Sequence, residues 1–335
     1  MAAYLLRRVA LMVLVLFGVT TIVFFLSHVV PSDPIRMALG EQATQEMIDN
    51  YARERGLDKP LIIQYGIYLS HALRGDFGTS ILTRQKVTDD FARFFPATIE
   101  LMIPSLIISV SVGLFLGVTA AVRRGHWFDH ASRLLSLFGM SMPIFWLGLV
   151  LQILFYKRLG LFPYGGRLDI DLLPSPFVTG LYTVDSLLVG RWDLFLNALK
   201  HLILPALALS TIELALMARI TRTSLLDELN ADYVRTARAK GLPQRAVIYT
   251  HALRNALIPV VTILGMRIGH LFGGAVLVET VFAWPGIGRW AVTGLRWLDF
   301  PVVMGFTLWI CFIFTVINIL VDVSYTLLDP RLRAN

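Results

Sequence analysis

The 24 residues IELMIPSLIISVSVGLFLGVTAAV, Ile99–Val122, contain a single charged side chain, that of Glu100. A helix needs about 20 consecutive apolar residues to cross a bilayer, so this stretch predicts a membrane-spanning helix. Further apolar stretches of sufficient length are Val9–Val30, Ala131–Tyr156, His201–Arg219, Pro259–Phe282 and Val302–Tyr325. The sequence therefore predicts an all-α integral membrane protein with six transmembrane helices.

The composition agrees with a membrane protein. Of the 335 residues, 56% are hydrophobic and 16% are charged, whereas a soluble chain carries about 25% charge. The stretch Val9–Val30 follows Arg7 and Arg8, as the hydrophobic part of a signal peptide would. It is longer than a normal signal sequence, however, and no small-residue cleavage site follows it. We interpret it as a retained helix.

The distribution of basic residues predicts the orientation. With both termini in the cytoplasm, the cytoplasmic segments hold 14 Lys and Arg against five Asp and Glu. The long external loops, 31–98 and 157–200, together hold 13 basic and 13 acidic residues. Because short cytoplasmic loops carry an excess of Lys and Arg, we expect both termini in the cytoplasm. The net charge of +7 is then a topology signal and does not indicate nucleic-acid binding.

These signals divide the chain into a membrane core and a folded external segment. The expected parts are the N-terminus and helix 1 (1–30), an external helical cap (31–98), a core of five helices (99–325) and a cytoplasmic tail (326–335). The core includes the external loop 157–200 and a cytoplasmic loop, 220–258. In the cap, Thr44 can begin a helix that ends at Gly56, and Asp58 can cap a second helix with Pro60 in its first turn. The 157–200 loop is expected to be irregular, with a short helix near Trp192–Leu199.

The cytoplasmic loop contains the basic segment DYVRTARAKGLPQRAVIYTHALRNALIP, Asp232–Pro259. Apolar residues recur at every fourth position before and within it: Leu225, Leu229, Tyr233 and Ala237. This spacing predicts that helix 4 continues beyond the lipid. Gly241 suits the left-handed residue that ends a helix, and Pro243 suits the first turn of the next. The pattern predicts two short helices at a sharp corner, which either grip a partner or form a solvated loop on anionic lipid head groups.

The segments TARAKGL and HALRNA closely resemble the cytoplasmic loop of permease subunits in the dipeptide/oligopeptide/nickel branch of binding-protein-dependent ABC importers. The broad family pattern is Glu-Ala-Ala, three residues, Gly, nine residues and Ile-x-Leu-Pro, of which Ala237, Gly241 and Leu253 match. Other segments that resemble the branch are VPSDP (Val30–Pro34), GLDKP (Gly56–Pro60), RGDFGTS (Arg74–Ser80), MSMPIFWLG (Met140–Gly148), ETVFAWPGIGRW (Glu279–Trp290) and LDPRLR (Leu328–Arg333).

This resemblance implies the type I ABC importer membrane architecture and the first membrane subunit of a dipeptide-type permease in a bacterial inner membrane. It implies that the corner is a coupling helix in a cleft of the ATPase subunit. The docking residues so implied are Asp232, Arg235, Thr236, Ala237, Arg238, Lys240 and Gly241, with His251, Leu253, Arg254 and Asn255 bracing the return to the membrane. Arg235-Thr236 stands where the broad family has Glu-Ala. The charge at the first position is therefore reversed, so any salt bridge that the family's Glu makes to its ATPase cannot form here with the same sign.

The same resemblance implies the partners. They are a second homologous permease subunit, one or two cytoplasmic ABC ATPases, a periplasmic or lipid-anchored substrate-binding protein and membrane lipid. The sequence has no GxxxxGK[ST] phosphate loop, no HExxH and no GxSxG. We therefore expect no catalytic residue, no metal site and no cofactor on this chain, with ATP and Mg bound by the ATPase partners.

Ionisable residues within lipid are costly and usually face a bundle interior or an aqueous path. Glu213 and Arg267 lie at similar depths of about 9 and 12 Å from the inner ends of helices 4 and 5, and His270 shares the face of Arg267. Two interpretations remain open: a substrate path formed by all three, or a structural Glu213–Arg267 ion pair. A ridge of Gly265, Gly269 and Gly273 on another face is suited to helix packing.

Other functional classes remain as alternatives. A self-sufficient transporter driven by an ion gradient would favour broken helices repeated in two halves, and the sequence shows no such repeat. An intramembrane enzyme would need a nucleophile or metal motif. Within the importer class the substrate could be dipeptides, longer peptides, nickel chelates, haem or another solute. The neutral external loops, and a path without Met, His or Cys clusters, favour peptides.

Overall fold

The computed structural model describes residues 2–29, 44–172 and 178–328. Within these ranges the regular secondary structure is helical, connected by turns and loops that include an isolated β-bridge between Thr79 and Lys86. The helices are α1 (Ala2–Val29), α2 (Gln45–Arg55), α3 (Leu61–Leu73), α4 (Val87–Val122), α5 (Trp127–Ser141), α6 (Ile144–Arg158), α7 (Tyr182–Leu188), α8 (Trp192–Leu229), α9 (Asp232–Ala239), α10 (Ala246–Val281), α11 (Ile287–Arg296) and α12 (Phe300–Leu328). The segments Gln152–Arg158 of α6 and Ala246–Ala252 of α10 have π-helical hydrogen bonding.

Among the described residues, five helices are long and apolar enough to cross a membrane: α1, α4, α8, α10 and α12. Helices α5 and α6 pass the same test as a pair bent by 107°, which gives up to six candidate spans. The predicted all-α membrane fold is confirmed. We call the end of the core where α1 stops and α12 starts the outer end, and the opposite end the inner end.

The bend in the third span corrects the prediction of one continuous helix over Ala131–Tyr156. Met142 lies in extended conformation, with φ −82° and ψ 129°, and Pro143 follows it. A proline ring clashes with the backbone of the preceding residue and disfavours the helical conformation there. The helix therefore stops at Ser141 and restarts at Ile144 in a new direction.

Several helix boundaries differ from the predicted ones. Helix α4 starts at Val87 rather than Ile99, and Trp192–Leu199 is the first part of α8 rather than a separate short helix. The irregular part of the 157–200 loop instead contains α7. Both α4 and α8 thus extend well beyond the apolar stretch at their outer ends, where external segments pack against them. Hydropathy locates the lipid-embedded part of a helix but not its end.

The predicted helix ends in the segment 44–73 are partly confirmed. Thr44 caps α2 by accepting a hydrogen bond from the backbone N–H of Met47 at 3.4 Å, and Gly56 ends that helix with φ 66°. The capping role predicted for Asp58 is wrong, because Pro60 occupies the N-cap of α3 and no side chain caps it. The segment Val30–Pro34, and the tail from residue 329 onward, lie outside the described residues.

Two apolar clusters hold the core. The outer cluster includes Leu101, Leu204, Val278, Phe282, Trp284 and Ile287. The inner cluster consists of Ala121, Leu225, Val234, Ala237, Val247, Ala252 and Ala256. The two clusters join α4, α8 and α10, whereas α1 lies apart against α12 and α3.

Helices α4 and α8 approach each other closely at two glycines. A Cβ atom at Gly113 would lie 2.6 Å from Cβ of Met217, and one at Gly117 would lie 2.6 Å from Cβ of Thr221. The sequence GLFLG therefore acts as a small-xxx-small contact, which lets two backbones approach in a membrane. The ridge predicted on α10 is only partly used. Gly269 packs against the Phe314 ring, but a Cβ atom at Gly273 would have no neighbouring atom within 4 Å.

Candidate functional site

The inner corner is built from α9 and the start of α10. Helix α9 ends in a Schellman motif: the N–H of Leu242 donates to Ala237 O at 3.3 Å and that of Gly241 donates to Arg238 O at 2.9 Å. Gly241 has φ 75°, as predicted. Pro243 precedes the first helical residue, Gln244, so it lies just outside the next helix rather than in its first turn. We call residues 232–255 the elbow.

The elbow packs on the inner ends of the core helices through small apolar side chains. Val234 is fully buried and Ala237 is 7% exposed, and both belong to the inner cluster. Helix 4 continues beyond Arg219 as predicted, but only to Leu229, and α9 begins anew at Asp232, before Tyr233. This break shifts the helical phase, so Val234 takes the buried position and Tyr233 is exposed.

Tyr233 connects the elbow to α8. Its hydroxyl donates a hydrogen bond to the Glu228 carboxylate. Burial, followed by this hydrogen bond, raises the pKa of the Tyr233 hydroxyl above its ordinary value, and a hydrogen bond from Asn255 partly opposes the rise. The end of α8, the first turn of α9 and the return to α10 are therefore joined at this ring.

The predicted docking residues divide into an exposed and a buried group. Ala237 and Leu253 pack in or against the inner cluster. The others are exposed: Asp232, Arg235, Thr236, Arg238, Lys240, Gly241, His251, Arg254 and Asn255. Arg235 pairs with Asp232 at 3.2 Å on the surface. The elbow therefore presents a predominantly basic face to solvent and an apolar face to the core.

Deeper in the membrane, Glu213 and Arg267 form the expected ion pair. Arg267 donates from Nε to Glu213 Oε2 at 2.9 Å and from Nη2 to Oε1 at 2.7 Å. The Glu213 side chain is 7% exposed, whereas that of Arg267 is 28% exposed. His270 is exposed, and in the described part of the chain no hydrogen bond joins it to this pair. Within the pair, Glu213 is thus buried and Arg267 is partly exposed.

A buried ion pair at the outer end was not predicted from the sequence. Arg167, from the external loop, donates to Glu100 Oε2 from Nε at 2.9 Å and from Nη2 at 2.5 Å. The other oxygen, Oε1, accepts from the N–H and hydroxyl of Thr183 at 2.7 and 2.8 Å. The Arg167 guanidinium also lies 3.5 Å from the centre of the Tyr182 ring. Glu100 thereby fastens the external loop to α4.

Two further buried carboxylates at the outer end were also missed. Glu279 is fully buried and accepts a hydrogen bond from the Thr98 hydroxyl at 2.6 Å. It also accepts one from the backbone N–H of Arg289, in the first turn of α11, at 2.9 Å. Asp299 is 1% exposed and accepts the Ser80 hydroxyl at 2.7 Å and the N–H of Leu82 at 3.1 Å. The presence of an acidic residue in an apolar stretch was the available signal for Glu100 and Glu279. Because both lie near the ends of the predicted spans, depth in the membrane does not single them out.

No group of three or more His, Cys, Asp and Glu side chains among the described residues is arranged to hold a metal ion. The candidate site consists of a corner with an exposed basic face at the inner end, and an ion pair within the membrane core.

Comparison with known proteins agrees with this architecture. Residues 113–334 match the family model for the inner membrane component of binding-protein-dependent transport systems, and residues 1–102 match the model for the N-terminal part of such components. The chain belongs to this family, so it is a multi-pass inner-membrane permease subunit of an ABC importer with the type I membrane architecture. It is not itself an enzyme, and the alternative of a self-sufficient secondary transporter is disfavoured.

Three relatives are similar over nearly the whole chain. A probable D,D-dipeptide transport system permease protein of Escherichia coli strain K12 is 47% identical over 96% of this chain and 94% of its own length. A di/tripeptide transport system permease protein of Pseudomonas aeruginosa is 45% identical over 99% of both chains. A dipeptide transport system permease protein of Alkalihalophilus pseudofirmus is 43% identical over 99% of this chain and 100% of its own length.

Proposed function

We propose that this chain is one of two permease subunits of an ATP-driven importer for dipeptides and short oligopeptides. The three relatives are named for transport of D,D-dipeptides, di- or tripeptides, and dipeptides, which supports peptides over nickel chelates or haem. In this proposal a second homologous permease completes the membrane path, and a substrate-binding protein delivers the peptide at the outer end. One or two ATPase subunits bind ATP and Mg. Both termini of the chain lie in the cytoplasm.

The elbow carries the proposal. Its exposed face is the part that docks in a cleft of the ATPase subunit, at Asp232, Arg235, Thr236, Arg238, Lys240 and Gly241, and Ala237 and Leu253 support it from the core side. The return of the chain is braced by His251, Arg254 and Asn255. Since the elbow contacts α4, α8 and α10 through the inner cluster, a displacement of the elbow moves the inner ends of these helices together. That movement couples ATP hydrolysis to the opening of the path.

A charge-reversal experiment tests the docking face. The double variant Arg235→Glu/Arg238→Glu changes two exposed side chains that contribute nothing to the inner cluster. A basic docking face calls for an acidic cleft on the ATPase, so the two glutamates would face like charge across the interface, which costs several kcal/mol. We therefore expect the amount of ATPase retained on affinity-purified permease to fall at least about tenfold. The matched control is Arg123→Glu/Arg124→Glu, two exposed arginines at the inner end outside the elbow. Equal retention in both variants would remove the elbow from the docking site.

We also propose that Glu213, Arg267 and His270 line the peptide path. The open guanidinium of Arg267 supports a role toward substrate charge, and the buried carboxylate of Glu213 holds it in position. Replacing both members of a buried ion pair by neutral residues of similar volume is often neutral for stability. The variant Glu213→Gln/Arg267→Met should therefore keep its unfolding midpoint and its basal ATP hydrolysis but change peptide uptake. Normal uptake by a stable variant would make the pair purely structural.

A further inference from the structure

Two cavities lie one above the other along the seam between α1 and α12, under the external helix α3. The deeper cavity has a volume of about 500 Å³ and the upper one about 540 Å³. Both fall within the range of about 300–1,000 Å³ that is usual for small-ligand sites. Phe77 lines both of them, so the two cavities are neighbours on either side of this side chain.

The deeper cavity is apolar. Its walls include Leu16 and Phe17 of α1, Leu69 of α3, and Leu308 and Phe312 of α12. Phe312 lies 12 residues beyond the start of α12, which places the floor of this cavity about 18 Å from the outer end of the helix. A hydrocarbon chain matches such walls, whereas a hydrated group would lose its hydrogen bonds there.

The upper cavity is basic. Its walls include Arg53, Lys59 and Lys86, whereas Asp76 is the one acidic side chain among the described lining residues. The Asp76 carboxylate is already engaged, because it lies 3.0 Å from Nδ1 of His71 and accepts the N–H of Gly78 at 3.0 Å. With three basic side chains against one acidic side chain, the described lining of the upper cavity has a surplus of positive charge.

A tyrosine hydroxyl adds a hydrogen-bond donor to the upper cavity. Tyr68 lines its wall and stacks on Phe24 with ring centroids 5.6 Å apart. Its hydroxyl oxygen is buried and has no hydrogen-bond partner among the described residues. Buried polar groups of this kind normally have a partner, and an orphan needs an explanation. An anionic oxygen in the cavity would accept this hydroxyl hydrogen.

We propose that the seam binds one anionic phospholipid, with its phosphate among Arg53, Lys59, Lys86 and the Tyr68 hydroxyl and one acyl chain in the apolar cavity. The stacked arrangement, with charge above and hydrocarbon below, matches an amphipathic anion. A soluble anion would leave the deeper cavity without an occupant, and an acidic protein segment would engage only the upper one. The lipid belongs to the outer leaflet in the orientation proposed above, and its binding does not depend on which solute is transported.

The test uses the full-length chain in its assembled importer, purified and exposed to phosphatidylglycerol or to phosphatidylcholine with identical acyl chains. The variant Lys59→Gln/Lys86→Gln removes charge from the upper cavity, and Ala72→Phe fills the deeper cavity, which Ala72 lines. The controls are Lys157→Gln/Lys200→Gln, two exposed lysines outside the cavity, and Ile62→Phe, an 80% exposed position on the same helix as Ala72. Lipid retained by the complex is counted by native mass spectrometry.

The wild type and both controls are expected to retain phosphatidylglycerol in preference to phosphatidylcholine. A basic residue near an anionic lipid surface contributes about 1 kcal/mol, or about fivefold in affinity, so the double lysine variant should lose about 25-fold. Ala72→Phe should lose retention of both lipids. Equal retention of the two lipids by the wild type, or unchanged retention in both cavity variants, would overturn the proposal. The proposal would also be overturned if soluble glycerol phosphate stabilised the complex against heat as much as phosphatidylglycerol does. That result would indicate a site for a free anion.

A loss of ATPase docking in the elbow variants leaves these outcomes unchanged, because the seam lies at the other end of the core. If one cavity variant fails to assemble, the other still decides the result, since each removes a different half of the site. If the lysine variant lost the substrate-binding protein but still retained lipid, the basic cavity would be a site for that protein. This result would contradict the proposed lipid site.

Discussion

At the outer end of the core, Glu100, Glu279 and Asp299 are at most 4% exposed, and each joins chain segments that are far apart in sequence. At the inner end, the elbow packs through Val234, Ala237, Val247 and Ala252 on Ala121, Leu225 and Ala256 of the inner cluster. The principal polar link there is Arg222 to Asp129, at 2.6 Å. The outer end is thus fastened by buried polar links, whereas the elbow rests mainly on non-directional apolar contacts, with the Tyr233–Glu228 hydrogen bond on its surface.

The difference is physical as well as geometric. A buried carboxylate that loses its partner retains the full cost of desolvation, so the outer links hold one geometry. Contacts between small apolar side chains depend on area and not on direction, so they survive a small sliding movement. The loops at the outer end are therefore held in one position. The elbow can slide by a small distance on the core, and the proposed function requires the elbow to move.

The largest expected effect comes from removing the Glu100 charge. Arg167 has a side chain that is only 6% exposed, so Glu100→Gln leaves a buried cation without its carboxylate. Breaking a buried pair in this way costs about 3–5 kcal/mol. We expect a correspondingly lower free energy of unfolding in detergent micelles, measured by denaturant titration.

Asp129→Asn is the matched inner-end variant. Arg222 keeps a side-chain exposure of 19%, so water can solvate it after the partner is lost and the cost should be smaller. Adding Arg167→Met to Glu100→Gln should recover part of the loss, since no unpaired charge then remains. Equal destabilisation by Glu100→Gln and Asp129→Asn would contradict the contrast between the two ends.

The helix contact between the two ends gives a smaller effect. Gly117→Val places methyl groups against Thr221 and the Ala218 carbonyl, and overpacking of this kind costs about 1–3 kcal/mol. Gly273→Val is the control, because no atom lies within 4 Å of its Cβ position. Thermal unfolding of the two variants should separate them clearly. A similar midpoint for both would mean that α4 and α8 do not pack closely in the membrane.

Much of the fold could be predicted from the sequence, because long apolar stretches force the backbone into helices. The elbow was also within reach, since Gly241 has a local signature for ending a helix. The bend before Pro143 had a local signal as well, but hydropathy averages over a window and does not register it. The Glu213–Arg267 pair could be predicted because the two residues lie at similar depths along their helices.

The outer links could not be found in this way because their partners come from remote segments. Glu100 and Arg167 are separated by 67 positions, and Glu279 and Thr98 by 181. No local pattern specifies which Arg or Thr will meet a given carboxylate after folding. The seam cavities have the same origin, since they combine side chains from α1, α3 and α12.

The smallest expected effect concerns an exposed carboxylate at the outer end. Asp169 accepts a hydrogen bond from Asn197 Nδ2 at 2.5 Å and lies 3.1 Å from His201 Nε2. The bond from Asn197, followed by that involving His201, lowers the pKa of the Asp169 carboxyl from its ordinary value. Because the folded-state pKa lies below the unfolded value of about 3.9, this carboxylate stabilises the fold above that pH. The contribution is lost as the pH falls through the folded-state pKa.

Solvent screens this interaction, since the Asp169 side chain is 57% exposed, and exposed pairs contribute about 1 kcal/mol or less. The difference in unfolding free energy between wild type and Asp169→Asn should be present at pH 6 and should shrink as the pH falls below about 4. Asp171→Asn, a nearby exposed position, controls for the general effect of removing an acid. If Asp169→Asn were as damaging as Glu100→Gln at pH 6, burial would not be what makes the outer links strong. The contrast between the two ends would then need another cause.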